Sequence, residues 1–276
     1  MRYVPPPELA SLPTLQQIES SCAPNVRAAI GAIRPQLLAA YAAYEAARPE
    51  SLHQLPPLNL GVADRQMLDV VFKRRYGRFR ELWHGLTDHF ESTGECTCPY
   101  CNFGEQWEHD HFLPKSVYPE FTLYPNNLIP ICKHCNGKKL ARYKENGVRL
   151  FKHLFSELDG VVGFLRVKVK YEPTLHVEYN LTRPATLTAA QFVVLEMHFG
   201  KLDLADRYAR QASTVLAKLV RQFRSAENLA LGRHQLRKRL NQMAADRAAA
   251  SPPNHWEAVL MQALAASDEF TDHIFD

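Results

Sequence analysis

A chain of 276 residues with 46% apolar content can bury a substantial core, as one large domain or two modest ones. Its formal net charge of +4 is too small to mark a nucleic-acid binder by itself, and no stretch is apolar for long enough to span a bilayer. The opening Met1-Arg2-Tyr3-Val4-Pro5-Pro6-Pro7 lacks the apolar run of a secretory signal, and five of the six cysteines crowd into one short region, a pattern that favours metal over disulfides and a reducing, cytoplasmic setting.

Residues 1–24 read as a partly ordered arm with a helical patch near Leu15 to Ile18. Residues 25–47 place Ile30, Ile33, Leu37, Leu38, Tyr41 and Tyr44 at helical spacing, and Pro35 is expected to break that run in two. After a Pro-rich loop, Asp64 is the expected cap of a longer helix whose apolar stripe runs from Met67 to Leu86. Its other face carries Arg65, Lys73, Arg74, Arg75, Arg78 and Arg80, equally readable as a solvated or a phosphate-facing surface. Gly94 is expected to end this segment.

Alternation over residues 105–112 suits a strand, ended by Leu113-Pro114, and residues 121–124 suit a second. Residues 137–142 read as a helix opening, so the central stretch is strand, strand, helix. A helical stripe follows over residues 148–158. Residues 164–171 and 175–180 alternate as a hairpin linked by Glu172-Pro173-Thr174. From Thr188 the chain turns helical. Asp203 opens a strongly periodic helix with Leu204, Tyr208, Ala212, Val215, Leu219 and Phe223 on one face and Arg207, Arg210, Lys218, Arg221 and Arg224 opposite. Helices over residues 233–249 and 256–265 close the chain. The expected class is α+β and predominantly helical, in three regions: an N-terminal helical region (1–94), a central metal-bound core (95–145), and a C-terminal region with one β-hairpin and helices (146–276).

Two C-x-x-C pairs, Cys98/Cys101 and Cys132/Cys135, lie about thirty residues apart. Each such turn points both sulfurs at one ion, so the four thiolates make a tetrahedral structural zinc site. Cys96 competes as a neighbouring thiol, while Cys22 reads as a small buried residue. A four-thiolate site is closed, so any chemistry must come from other residues. Asp110 offers a carboxylate oxygen and Asn136 an amide oxygen, hard ligands suited to Mg²⁺. His111, next to Asp110 and therefore on the opposite strand face, is placed to act as general base on water. His109 shares the face of His111 and reads as a supporting contact. His134, inside the second cysteine turn, reads as exposed.

The pattern D-H-x-x-P followed by N-L-x-P-x-C-x-x-C-N-x-x-K resembles the His-Asn-His (HNH) endonuclease superfamily over about residues 96–145. The resemblance implies a ββα-metal, treble-clef-like core beside a zinc knuckle. It places His111 as the general base and Asp110 as the acidic metal ligand. Asn127 falls on the middle asparagine, which holds the loop and orients the histidine, and Asn136 on the last position, ligating the metal. The implied chemistry is phosphodiester hydrolysis with one Mg²⁺ or Mn²⁺, leaving 5′-phosphate and 3′-hydroxyl ends. Lys115, Lys138, Lys139 and Arg142 lie where they could meet the nucleic-acid backbone. DNA is the expected substrate, with RNA left open because no base-reading motif is visible.

The helical flanks resemble those of nuclease subunits in bacterial anti-phage systems, including Septu-like and retron-associated ones. That likeness implies an ATPase or another defence-system subunit as partner. A homo-oligomer is compatible with one site acting on each strand. The competing reading is a non-catalytic zinc-ribbon module that holds nucleic acid or a partner protein. Against it, a purely structural knuckle has no use for the Asp-His pair and the two asparagines.

Overall fold

Thr14 opens the first regular element: its hydroxyl accepts the Gln17 N–H at 3.3 Å, while its own N–H donates to the Gln17 side chain at 2.9 Å. This reciprocal cap starts helix α1 (Leu15–Ser20), at the helical patch expected near Leu15 to Ile18 within a partly ordered arm. The arm itself is tied down, since the Val4 N–H donates to the Leu154 carbonyl at 3.0 Å and Val4 is buried. The computed structural model describes residues 1–92, 97–105, 108–171, 174–230 and 232–276. Its chain forms two compact units, one of Tyr3–Asp159 and one of Met1–Arg2 with Gly160–Asp276. The fold is α+β and mainly helical.

In the first unit, α2 (Pro24–Ala46) runs unbroken through Pro35. A proline inside a helix costs roughly 3 kcal/mol. Ile30 and Ile33 before it and Leu37 and Tyr44 after it are all buried, so both halves are held to the core and the break does not occur. The next helical pattern divides instead. Helix α3 (Val62–Arg74) is capped by Gly61, with Asp64 inside its first turn, and α4 (Phe79–Ser92) follows after a turn. Arg75 and Gly77 in that turn both have a φ of 51°. A Cβ on Gly77 would lie 2.8 Å from the Ser21 carbonyl oxygen, and Ser21 Oγ accepts the Arg78 N–H at 2.8 Å. The expected end at Gly94 lies outside the described residues.

The apolar faces of α1 to α4 meet in one core containing Leu15, Ile18, Ile30, Leu37, Leu68, Val71, Phe79 and Leu82. Leu123 and Leu128 of the central stretch belong to the same cluster. Strand β1 (Glu108–His111) pairs antiparallel with β2 (Leu128–Ile131), with Asp110 opposite Ile129 and His111 opposite Leu128. The second strand therefore lies seven residues later than its alternation suggested. Residues 118–124 are all buried and include a 3₁₀ turn, Pro119–Phe121. Tyr118, Phe121 and Tyr124 recur at the three-residue period of that geometry, and Phe121 and Tyr124 pack against Tyr41 and Tyr44. Helix α5 (Lys133–Lys139) starts four residues before the expected opening, capped by Cys132, and carries both Cys135 and Asn136.

Beyond it, the helix expected over residues 148–158 is absent. Strands β3 (Lys144–Glu145) and β4 (Val148–Arg149) form a tight hairpin, with Asn146 and Gly147 at φ 50° and 78°, and the chain then continues irregularly. Residues 150–155 are all buried, so no solvated helix face exists there. The backbone is held instead by the Glu157 carboxylate, which accepts the His153 N–H at 2.7 Å and pairs with Arg149 and Lys152.

The second unit holds the expected hairpin, β5 (Leu165–Tyr171) with β6 (Leu175–Leu181), in register from Leu165↔Leu181 to Tyr171↔Leu175. Glu172 and Pro173 of its link lie outside the described residues. Thr188 caps α6 (Ala189–Lys201), again reciprocally with a glutamine three residues on. Helix α7 (Leu204–Phe223) buries Leu204, Tyr208, Ala212, Leu216, Leu219 and Phe223. Arg207, expected on its exposed basic face, is buried and donates to the Leu202 carbonyl at 3.2 Å. Helices α8 (Ala226–Leu229), α9 (Gly232–Ala249) and α10 (Trp256–Ala266) follow, and one more, α11 (Asp268–Phe275), lies beyond the expected last helix. No described helix is long and apolar enough to cross a membrane.

Candidate functional site

The four paired cysteines are brought together. The Sγ atoms of Cys98, Cys101, Cys132 and Cys135 lie within 4.8 Å of one another, and all four residues are buried. Cys101 Sγ is 3.9 Å from Cys132 Sγ, close to the roughly 3.8 Å edge of a tetrahedron built on ~2.3 Å Zn–S bonds. Backbone donors point at the sulfurs: the Gly104 N–H at Cys101 and the Cys135 N–H at Cys132, each at 3.4 Å. Gly104 is required by space, because a Cβ there would sit 2.8 Å from the Cys132 sulfur. The donor set fits zinc and leaves it no open position. Cys22 is buried elsewhere, donating to the Ile18 carbonyl, and Cys96 lies outside the described residues.

Beside this knuckle a groove of about 580 Å³ runs along β1 and α5. Its lining includes Glu108, His109, Asp110, His111, Lys115, Lys133 and Asn136. Strand alternation sorts the four β1 residues into two pairs, with Glu108 and Asp110 on one face and His109 and His111 on the other. The carboxylate face meets α5. Asn136 Nδ2 donates to Glu108 Oε2, and Lys139 Nζ lies 3.0 Å from an Asp110 oxygen. The same ammonium donates to the His111 carbonyl at 2.8 Å. Burial pushes Asp110 up to about 6, with the Lys139 charge and hydrogen bond opposing it.

The histidine face meets α3 and α4. The ring of His111 lies 4.5 Å from that of Phe72, and its Nε2 is 3.0 Å from the Thr122 carbonyl oxygen. A carbonyl only accepts, so Nε2 carries the proton and Nδ1 is the accepting nitrogen. Burial, with the nearby Lys115 and Lys139 charges and against the carbonyl's pull, lowers His111 to about 3, so the ring is a neutral base at physiological pH. His109 packs 3.9 Å from Trp83, which lies under the Arg75 guanidinium at 4.0 Å. Burial and the Arg75 charge also lower His109 to about 3, and neither of its ring nitrogens has a partner among the described residues.

Asn127 is fully buried and joins the chain leaving β1 to the chain entering β2. Its Oδ1 accepts the Leu113 N–H at 2.8 Å, and its Nδ2 donates to the Leu113 and Phe121 carbonyls at 3.0 and 3.4 Å. The segment it holds contains Thr122, the acceptor that orients His111. The four expected backbone-contacting cations have different placements. Lys115 lines the groove, over the Phe72 ring at 4.8 Å and ion-paired with Asp69. Lys138 is half-buried near the end of α5, and Arg142 folds back to donate to the Lys138 and Lys139 carbonyls. Lys139 is wholly buried against Asp110, out of reach of a nucleic-acid backbone at the surface.

Two groove residues escaped the sequence reading. Glu108 is separated from Asp110 by one residue, which in a strand puts both on one face, and that spacing was the available signal. Lys133 is exposed in the groove, but it stands inside the second cysteine turn, where the thiols dominate the pattern.

Residues 98–142 match the family model described as HNH endonuclease. Over 199 residues the chain is 28% identical to Protein ea31 of Escherichia phage lambda, an alignment covering 66% of each. Over 51 residues it is 43% identical to the Septu protein PtuB of Bacillus thuringiensis, covering 17% of this chain and 20% of that one. The chain thus spans just under two thirds of the lambda protein and a fifth of the Septu protein. No solved structure matches it.

Proposed function

We propose that the HNH domain of this chain is a divalent-metal-dependent endonuclease that hydrolyses DNA phosphodiester bonds in the groove between β1 and α5. The observation that carries this reading is His111, held neutral by burial and held in one tautomer by the Thr122 carbonyl, on a strand that also presents Asp110 to the groove. The Asp110 carboxylate and the Asn136 amide oxygen suit Mg²⁺ or Mn²⁺, which prefer oxygen ligands. Bound there, the ion supplies Lewis-acid stabilisation of charge on the phosphate and the leaving oxygen. His111 Nδ1 takes the proton of the attacking water, whose oxygen bonds to phosphorus as the P–O3′ bond breaks. The products are a 5′-phosphate and a 3′-hydroxyl.

Lys139 acts from within, as the counter-charge that keeps the buried Asp110 ionised, while Lys115 and Lys133 are the groove cations that meet the phosphate backbone. Asn127 works through position, fixing the loop whose Thr122 carbonyl orients the base. The match to a Septu protein supports a further part of the proposal: the nuclease serves in an anti-phage defence assembly, beside an ATPase or other subunit. The longer match is to a phage protein, so the defence reading rests on the 51-residue match to the Septu protein.

Plasmid cleavage by the purified chain in Mg²⁺, Mn²⁺ or EDTA, compared with His111→Ala, tests the core of the reading. Removing the base is expected to slow cutting by about 10²- to 10⁴-fold. Cleavage that survives EDTA, or that His111→Ala leaves intact, overturns it. DNA retained on a filter but never cut, by wild type and variant alike, identifies a zinc-bearing binding module instead.

A further inference from the structure

We propose that Glu108 is the carboxylate that orients Asn136 toward the catalytic ion and supplies negative charge to that site. The inference rests on the metal-dependent reading above and deepens it. Glu108 and Asp110 project from the same face of β1 toward α5. There each meets its own partner: Glu108 accepts from Asn136 Nδ2, and Asp110 pairs with Lys139. The two ends of an asparagine amide are nearly the same size and differ only in whether they donate or accept. An ionised carboxylate accepts only, so Asn136 must turn its nitrogen to Glu108, which leaves Oδ1, the atom able to ligate a cation, as the end with no hydrogen-bond partner among the described residues.

Charge points the same way. The Lys139 ammonium lies 3.0 Å from Asp110 and offsets its charge inside a buried pair. Asp110 and Asn136 together therefore offer a divalent cation no net negative charge. Glu108 is the other carboxylate in the groove lining, and it is half-buried rather than sealed. Its contact with Asn136 is a hydrogen bond to a neutral amide, and among the described residues no cation forms an ion pair with it.

The test is calorimetric titration of Mn²⁺ into the zinc-loaded full chain, with Glu108→Ala, Glu108→Gln, Asn136→Ala and the Glu108→Ala/Asn136→Ala double variant. Zinc content and thermal midpoint are read on each to establish folding. Wild type is expected to take up one Mn²⁺ beyond zinc, and Glu108→Ala to bind it about 10- to 100-fold more weakly. Glu108→Gln still accepts from Asn136 but has lost its charge, so its affinity should fall between the two. In the Asn136→Ala background, removing Glu108 should cost less than it does alone, because part of its effect passes through Asn136. Equal affinities for wild type and Glu108→Ala overturn the Glu108 assignment while leaving the nuclease reading standing. Full additivity in the double variant, or Glu108→Gln as weak as Glu108→Ala, overturns the orienting role. A wild type that binds no Mn²⁺ overturns both.

Discussion

Two buried ion pairs in the first unit differ in what they do for the folded state. Lys139 and Asp110 are both nearly inaccessible, and the ammonium also holds the His111 carbonyl. Removing one partner strands the other charge in a low dielectric, which typically costs about 3–5 kcal/mol. Lys139→Met is therefore expected to lower the urea midpoint by that equivalent. Asp110→Asn/Lys139→Met should recover much of the loss, since neither charge then remains buried. A double variant no more stable than the single would show that Lys139 contributes mainly packing. Glu157 sits in the other pair. Burial alone would raise it, but the Arg149 hydrogen bonds and charge, with Lys152 and the His153 N–H, bring it down from 4.5 to about 2. A depressed folded-state value contributes stability above the unfolded value and loses it as pH falls through the folded one. Stability should thus decline between about pH 4.5 and 2, by roughly 3 kcal/mol in all, from a shift worth ~1.4 kcal/mol per unit. Urea titrations across that range check it, and Glu157→Gln should flatten this acid limb.

At the scale of elements, the turn between α3 and α4 decides the site's outer wall. It positions Phe72 at the end of one helix against His111 and Trp83 at the start of the other against His109. The turn depends on Gly77, whose φ of 51° disfavours a side chain and whose missing Cβ makes room for the Ser21 carbonyl. Gly77→Ala should destabilise the first unit by about 1–3 kcal/mol, read as a drop in thermal midpoint. Ser21→Ala in the same chain should not restore it, because the 2.8 Å approach to the carbonyl remains. An unchanged midpoint in Gly77→Ala would show that the turn relaxes at no cost. The same scale explains where local reading was overruled. Pro35 stays helical because apolar anchors lie on both sides of it, and residues 150–155 stay irregular because every one of them is buried, leaving no solvated face for a helix.

Across the first unit, the zinc knuckle and the helical core hold the ββα element from opposite ends. Cys132 and Cys135 bracket the start of α5, while Leu128 of β2 belongs to the core built by α1 to α4. Stripping the metal should then loosen one end while leaving the other. Hydrogen exchange after zinc chelation is expected to speed up at the amides of α5 and the cysteine turns, with α2 and the C-terminal unit remaining protected. Global loss of protection would instead make zinc a condition of folding for the whole unit.

Spacing alone paired Cys98 with Cys101 and Cys132 with Cys135, because a C-x-x-C turn is set by bonds a few residues long, while the meeting of the two pairs across 31 residues is made by the fold. The same short-range logic placed the β5–β6 hairpin and the amphipathic face of α7, where a two- or 3.6-residue period is written directly into the chain. Tertiary structure decided the rest. Whether Lys139 faces solvent or Asp110, which nitrogen of His111 carries the proton, and that Glu108 meets Asn136 all depend on partners 11 to 29 residues away. Those partners are delivered by the pairing of β1 with β2 and the seating of α5. No local period encodes such contacts, since they exist only once the chain has folded back on itself.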